Sequence, residues 1–112
     1  MDTTVSAVNW HEHFILNGFE RISHWQGDYS RHWFLHDDDF VVSLTKGLLG
    51  HRLEFMRIVN NKESLSVSGF VTRDNWEEAL SFISAINDVT LFPLFIGSEW
   101  GGKLVEAYLK DH

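Results

Sequence analysis

The chain contains no cysteine, and this absence excludes several kinds of site at once. Disulfides, zinc–thiolate centres, iron–sulfur clusters and a cysteine nucleophile all need thiol groups. A chain without disulfides fits a reducing compartment, and the N-terminal stretch MDTTVSAVNW lacks the basic and apolar regions of a secretory signal. No apolar run approaches the roughly 18 residues that a membrane helix needs. We therefore expect a cytoplasmic protein that does not contact a membrane.

Basic residues are scarce. Nine lysines and arginines stand against sixteen aspartates and glutamates, so the net charge is −7. Residues 1–40 and 74–112 each carry a net charge of −5, whereas residues 41–73 carry +3. Proteins that bind nucleic acid directly present an excess of positive charge to its phosphates. We therefore expect no direct binding of nucleic acid. The charge suits a basic protein partner, although acidic charge also serves solubility alone.

Catalytic and cofactor motifs are missing as well. The serine-hydrolase motif G-x-S-x-G does not occur. GSEWGG, at residues 97–102, matches neither a phosphate-binding P-loop nor a dinucleotide-binding motif. The three consecutive aspartates, at residues 37–39, lack the alternating ligands and the glycine of a calcium loop. We predict that the chain is not an enzyme and that it needs no cofactor.

Apolar residues are abundant enough for one packed domain. Of the 112 residues, 44% are hydrophobic and 14% are aromatic. The length is close to the commonest domain size, and this hydrophobic content argues against intrinsic disorder. No internal repeat or linker divides the chain, so we expect a single domain over residues 1–112.

Strand patterns separated by turns cover the first two thirds of the chain. Asn17-Gly18 lies between two β-rich runs and is typical of a type I′ hairpin turn. The three aspartates and the stretch NNKE predict two further turns, and KGLLG predicts a loop. The predicted strands cover residues 10–16, 19–25, 29–36, 40–45, 51–59 and 64–72.

The last third of the chain has a helical pattern. Apolar residues recur at helical spacing after residue 75, and Asp74 with Glu77 resembles a capping box. VTLFPLFIG, at residues 89–97, predicts a buried strand, and a last helix is predicted from Ser98 to about residue 110. We therefore predict an α+β fold: an antiparallel β-meander of about six to seven strands, covered by one or two C-terminal helices.

Histidines suggest two candidate metal sites. His32 and His36 lie four residues apart on a predicted strand, about 13 Å, which is too far for both rings to reach one ion. The predicted N-terminal hairpin places His11 opposite His24, with His13 on the diagonal at roughly 7–8 Å. Three imidazoles within that spread could bind a zinc-like ion, although histidine is also an ordinary residue of an amphipathic strand. A small-molecule or metal-binding domain using these three histidines is therefore the alternative function.

Acidic side chains beside aromatic ones are candidate contacts for a protein partner. The aspartates at residues 37–39 fall in a predicted turn, where they are exposed and ionised together. Arginine and lysine of a partner pair well with such carboxylates. A tryptophan precedes the turn, and interfaces favour tryptophan; two glutamates on the first C-terminal helix form a second acidic surface. The predicted partner-binding residues are Trp33, Asp37, Asp38, Asp39, Glu77 and Glu78.

The stretches HWFLHDDD, DNWEE and SEWGGKLVEAYLKD are both aromatic and acidic. In these stretches, and in its small size and lack of cysteine, the chain resembles the small immunity proteins of bacterial contact-dependent growth inhibition and related polymorphic toxin systems. The resemblance implies a one-to-one inhibitor that binds a cognate protein toxin, often a basic nuclease domain, and covers its active site or an exosite. The function expected from this resemblance is neutralisation of such a toxin by protein–protein interaction.

Overall fold

A five-stranded antiparallel sheet forms the frame of the protein. The computed structural model describes residues 8–22, 31–48 and 50–111. The strands are β1 (Glu20–Ile22), β2 (Arg31–His36), β3 (Phe40–Gly47), β4 (Gly50–Val59) and β5 (Lys62–Phe70). Each strand pairs with the next one along the chain, so the sheet is a meander in the order β1-β2-β3-β4-β5. The predicted α+β meander is confirmed, with five strands in the described residues rather than six to seven.

The predicted N-terminal hairpin is wrong, because its first strand is a helix, α1 (Trp10–Leu16). The side chain of Asn9 caps this helix by accepting a hydrogen bond from the backbone N–H of Glu12 at 3.0 Å. Asn17-Gly18 ends the helix instead of turning a hairpin, since Gly18 adopts the left-handed backbone (φ 85°) that helix ends favour. Of the second predicted strand, β1 forms at residues 20–22, and residues 23–25 lie outside the described part of the chain.

The central hairpins follow the predicted turns. Asn60 and Asn61 both have positive φ (54° and 64°) and join β4 to β5 in a two-residue turn, as a type I′ turn requires. The loop predicted for KGLLG is wrong in extent, because Gly47 pairs with Gly50 and both strands continue to that point. The structure thus joins β3 to β4 by a two-residue connection and makes both strands longer than predicted.

The predicted helix after residue 75 is α2 (Trp76–Asn87). Its N-cap is Asn75, one residue after Asp74, so the predicted capping box of Asp74 and Glu77 is wrong. The Asn75 side chain accepts a hydrogen bond from the Thr72 N–H at 2.8 Å and donates one to the Phe70 carbonyl at 3.1 Å. These bonds tie the start of α2 to the end of β5.

The buried strand predicted for VTLFPLFIG is wrong, because residues Val89–Phe95 form a 3-10 helix. Asp88 caps it, accepting hydrogen bonds from the Thr90 N–H (3.2 Å) and hydroxyl (2.6 Å). Pro93 has no N–H to give to a strand ladder, and inside this short helix it lies beside the buried Phe92. Apolar side chains here meet the core from a helical turn rather than from a sheet edge.

The last helix, α3 (Gly102–Asp111), begins later than predicted because residues 98–101 form a turn in front of it. Gly101 is required in this turn, since a Cβ there would lie 2.3 Å from the ring of Phe82 on α2. The turn also places Trp100 against the core, with its indole N–H donating to the Asn75 carbonyl at 3.2 Å. Gly101 therefore allows this turn to pack closely on α2.

The helices cover one face of the sheet, and the main core lies between the helices and this face. Residues two apart along the strands supply the sheet side of this core, as expected for strands with one face covered. The sheet contributes Phe34, Phe40, Val42, Leu44, Leu53 and Phe55, and the helices contribute Trp10, Phe14, Phe82, Ile83, Phe92 and Leu104. The other face carries a smaller buried cluster of Trp33, Val41 and Met56. Within the described ranges, no helix has the length and apolarity needed to span a membrane.

Candidate protein-interaction surface

The three aspartates occupy the turn between β2 and β3, as predicted. Asp37 and Asp38 both have positive φ, 47° and 62°, and the Asp39 N–H donates to the His36 carbonyl at 3.0 Å. Aspartate is one of the few residues that tolerates this left-handed conformation, and a type I′ turn needs it at both central positions. All three side chains are exposed, that of Asp37 by 82%. The turn therefore presents three carboxylates on a defined backbone.

Backbone contacts anchor this acidic turn (residues 37–39) to the rest of the sheet. The Asp39 carbonyl accepts a hydrogen bond of 2.7 Å from the Ile58 N–H of β4. The β4–β5 turn reaches the same end of the sheet, and a shallow hollow of about 170 Å³ between the two turns is lined by Leu35, Asp38, Ile58 and Asn61. The acidic turn is thus supported from its side as well as from its own strands.

His36 supports the acidic turn from below. Only 8% of the residue is exposed, and its ring packs 5.0 Å from the ring of Phe19. Its Nδ1 lies 3.6 Å from a carboxylate oxygen of Asp37, and its Nε2 lies 3.4 Å from the side-chain oxygen of Asn87 at the end of α2. These contacts place His36 in the packed margin of the sheet.

A second acidic element, the C-terminal end of α3, reaches the same end of the molecule. Arg57 lies opposite Phe40 in the sheet register, and Phe40 lies opposite His36. The buried guanidinium of Arg57 contacts the Asp111 carboxylate at 2.8 Å and lies 5.6 Å from the centre of the Tyr108 ring. Asp111 therefore neutralises a buried cation, whereas the acidic turn keeps its negative charge.

Asp88 adds a carboxylate that the sequence did not associate with the turn. It directly follows Asn87, which contacts His36, so the end of α2 brings it to the same part of the surface. Its position depends on the direction in which α2 crosses the sheet, and no local pattern in the sequence encodes that direction. The Asn60-Asn61 turn, in contrast, could have been placed there, because alternate turns of a meander lie at the same edge.

Trp33 lies on the sheet face opposite the helices, where it is 4% exposed and packs with Val41 and Met56. The guanidinium of Arg31 lies 5.8 Å from the centre of its ring, and Arg31 also contacts the Glu54 carboxylate at 3.7 Å. Only a small part of the Trp33 indole is therefore accessible to a partner. Trp33 contributes packing under the open face, and its role as a partner contact stays a prediction.

Glu77 and Glu78 lie far from the acidic turn. They are in the first turn of α2, whose other end contacts His36, and a helix of this length separates its ends by roughly 17 Å. Glu77 is exposed. Glu78 is partly buried and accepts a hydrogen bond from the Trp100 backbone N–H at 3.2 Å. The two predicted acidic surfaces are therefore separate, and Glu78 has a structural contact of its own.

The hairpin that would group three histidines does not form. His11 packs edge-on against Phe34 with ring centres 5.1 Å apart, and His13 Nε2 lies 3.2 Å from the Leu80 carbonyl. Side chains two residues apart on a helix point in roughly opposite directions, so the rings of His11 and His13 do not converge. His24 lies outside the described residues. Among residues 8–22, 31–48 and 50–111, no three His, Asp or Glu side chains are grouped in a way that could hold a metal ion. The geometric basis of the metal alternative is wrong.

A larger hollow lies on the open face of the sheet. Its volume is about 320 Å³, and it is lined by Thr45, Gly47, Leu48, Gly50, Arg52 and Phe70. The lining is mostly apolar, and the guanidinium of Arg52 donates a hydrogen bond to the Ser68 hydroxyl at 2.8 Å. Pockets for small molecules begin at about this size. The hollow does not include His11, His13 or His24, on which the small-molecule alternative was based.

The chain was compared with protein-family models, with curated proteins and with solved structures. No family model, curated protein or solved structure significantly matches the chain.

Proposed function

We propose that the protein is an immunity protein that acts in the cytoplasm by binding and neutralising a cognate toxin, a basic nuclease domain. The observation that carries the proposal is the acidic turn: three exposed carboxylates on a type I′ turn whose backbone is bonded to β4. With the resemblance noted from the sequence, this surface favours protein inhibition over catalysis. The proposal includes Trp33, Glu77 and Glu78 only as secondary contacts.

The charge of the turn explains how such an inhibitor could work. A nuclease presents positive charge to the phosphates of its substrate, so a protein that carries carboxylates competes for the same surface. Opposite charge also accelerates encounter between the two proteins. Because Asp37, Asp38 and Asp39 do not pair with a lysine or arginine within the described chain, their charge is available to a cationic partner.

The fixed geometry of the turn favours affinity. Flexible side chains and loops lose conformational freedom on binding, which costs about 0.5–1.5 kcal/mol for each side chain that becomes ordered. Here the turn backbone is already held by the Asp39 N–H, the Asp39 carbonyl and the packed ring of His36. Binding therefore needs to order only three short aspartate side chains.

Genomic context and a nuclease assay test this function. We expect the gene to follow directly the gene of a large toxin, and the C-terminal domain of that toxin to degrade nucleic acid. Addition of this protein should abolish the nuclease activity at a one-to-one ratio, with a stable complex on size-exclusion chromatography. Full nuclease activity in the presence of excess protein, or the absence of any complex, would contradict the proposal.

A further inference from the structure

Basic side chains surround His32 and Lys46 toward the end of the sheet away from the acidic turn, and Arg21 joins them from opposite Phe34 in the middle of β2. We call this group the basic corner: Arg21 of β1, His32 of β2, Lys46 of β3, His51 of β4 and His11 of α1. Lys46 lies directly opposite His51 in the register. His32 lies opposite Leu44, which is two residues from Lys46. Phe34, two residues from His32 on β2, lies opposite Arg21. His32 is therefore diagonal to both Lys46 and Arg21. Such neighbours on one face have Cβ atoms roughly 5–8 Å apart.

The helix α1 completes this corner. His11 packs against Phe34 at 5.1 Å between ring centres, and Phe34 lies two residues from His32 on the same face of the sheet. Arg21 and Lys46 are exposed, and the three histidines are partly exposed. Solvent and small solutes therefore reach the side chains from above the sheet edge.

No carboxylate neutralises the basic corner within the described part of the chain. The ion pairs there are Arg31–Glu54, His36–Asp37 and Arg57–Asp111, and none of them involves a residue of the corner. The Nδ1 atom of His32 is buried without a hydrogen-bond partner. In a protein with a net charge of −7, unpaired basic groups in one place indicate an anion site.

The titration of the histidines is consistent with crowded positive charge. Burial first, and then the charges of Arg21, Lys46 and His11, lower the pKa of His32. Burial and the charge of Lys46 lower the pKa of His51. The side chains that lower the pKa of His32 are thus all basic. An anion placed among them would have the opposite effect and would favour protonation of the ring.

We propose that the basic corner binds a phosphate group, carried by inorganic phosphate or by a small phosphorylated molecule. Its donors come from one helix and from adjacent strands, so they approach from several sides. A tetrahedral phosphate dianion offers oxygens in each of these directions, whereas a carboxylate offers two oxygens in one plane and a single charge. A nucleic acid fits less well, because its further phosphates would meet the negative charge of the rest of the surface.

The test is a titration with inorganic phosphate, followed by NMR of the histidine ring signals at constant ionic strength. We expect saturable shifts of the His32 signals with a dissociation constant on the order of 1 mM. We also expect the pKa of His32 to rise by about 0.5 units at saturation, which corresponds to roughly threefold tighter binding to the protonated ring. The ring signals of His36, at the far end of β2, should not shift.

Variants separate a built site from general attraction of anions. Arg21→Gln with Lys46→Gln should weaken phosphate binding by at least about tenfold, since each removes a charged hydrogen bond. Lys62→Gln with Lys103→Gln makes the same change in net charge elsewhere on exposed side chains and should leave binding unchanged. Unchanged circular dichroism spectra and unchanged thermal unfolding of both variants would show that the fold is intact.

Three results would overturn the phosphate site. One is the absence of any saturable shift of the His32 signals, and another is equal weakening by both pairs of substitutions. The third is binding of a short single-stranded oligonucleotide without a response to inorganic phosphate, which would indicate a nucleic-acid surface instead. Titration with ribose 5-phosphate compares the free ion with a phosphorylated molecule; tighter binding of either one is consistent with the proposal.

Discussion

The folded protein holds His32 and His51 in surroundings that disfavour their charged forms. Burial is the first cause for both, and the neighbouring charges add to it, so both pKa values are lower than the ordinary 6.5. The unfolded chain therefore binds protons at these positions at a higher pH than the folded protein does. The contribution of these histidines to stability is present above pH 6.5 and is lost as the pH falls through their folded-state pKa values.

We predict that the free energy of unfolding falls between about pH 7 and about pH 5, and that His32→Gln with His51→Gln reduces this fall. The physical reason is that the variant has no imidazole at these positions to take up protons on unfolding. Urea denaturation of both proteins at several pH values measures the effect. An equally steep pH dependence in the variant would show that other groups are responsible.

Some residue roles follow from the sequence and others do not. The aspartates of the acidic turn were predicted correctly, because residues that tolerate positive φ between two strand patterns define a local structure. The role of Gly101 was not predicted. Its need to be glycine comes from the ring of Phe82, which the chain brings against it only through the packing of α2. Local rules therefore identify turns, whereas close approaches between elements depend on the whole fold.

The helix α1 shows where periodicity fails for a short element. Trp10 and Phe14, both buried, lie four residues apart, which places them on one side of a helix and equally on one side of a strand. Seven residues are too few for the two patterns to diverge. The end signals decide the structure: Asn9 supplies a helix cap, and Asn17-Gly18 suits a helix end as well as a hairpin.

We predict that Asn9→Ala destabilises the protein by about 1 kcal/mol, because the Glu12 N–H at the start of α1 loses its acceptor. Asn9→Ser retains an acceptor of the right length and should cost much less. Chemical denaturation of the three proteins measures the difference. If alanine and serine variants are equally stable, the Asn9 side chain does not cap α1.

The longer elements were predicted because their patterns are long enough to be specific. The β4–β5 hairpin and α2 lie close to their predicted residues. The apolar run at residues 89–97 has neither the helical nor the strand period and predicts a strand only by its hydrophobicity. In the structure Asp88 caps a 3-10 helix there. Length and end signals together, rather than hydrophobicity alone, separate the correct predictions from the wrong ones.

The acidic turn and the basic corner occupy different places on the sheet, and the start of α2 brings Glu77 and Glu78 to the end away from the acidic turn. Asp88 lies at the same end as the acidic turn. The sequence shows that charge is unevenly distributed along the chain. Where the charged residues lie on the surface depends on the strand order of the meander and on the direction of α2. The exposed charge of the acidic turn attracts a cationic partner during encounter, and salt reduces this attraction.

We predict that replacing Asp37, Asp38 and Asp39 by asparagine slows association with a basic toxin domain by about tenfold at low ionic strength. The dependence of the association rate on salt should also become weaker, since three charges that steer the partner are gone. Surface plasmon resonance over a range of salt concentrations measures both effects. A matched control changes three exposed acids elsewhere: Asp74→Asn, Glu99→Gln and Glu106→Gln. Unchanged kinetics of the aspartate variant at low salt would remove the acidic turn from the interface.

The order of the strands has a consequence for how the chain folds. Because each strand pairs only with its neighbour in the sequence, no strand has to insert between two others, and the β3–β4 and β4–β5 pairings close over two-residue connections. Short sequence separation between contacting residues lowers the entropy cost of the folding transition state and speeds folding. The β3–β4–β5 unit can therefore act as a folding nucleus on which the helices dock. We therefore expect the chain to reach its native state quickly after synthesis.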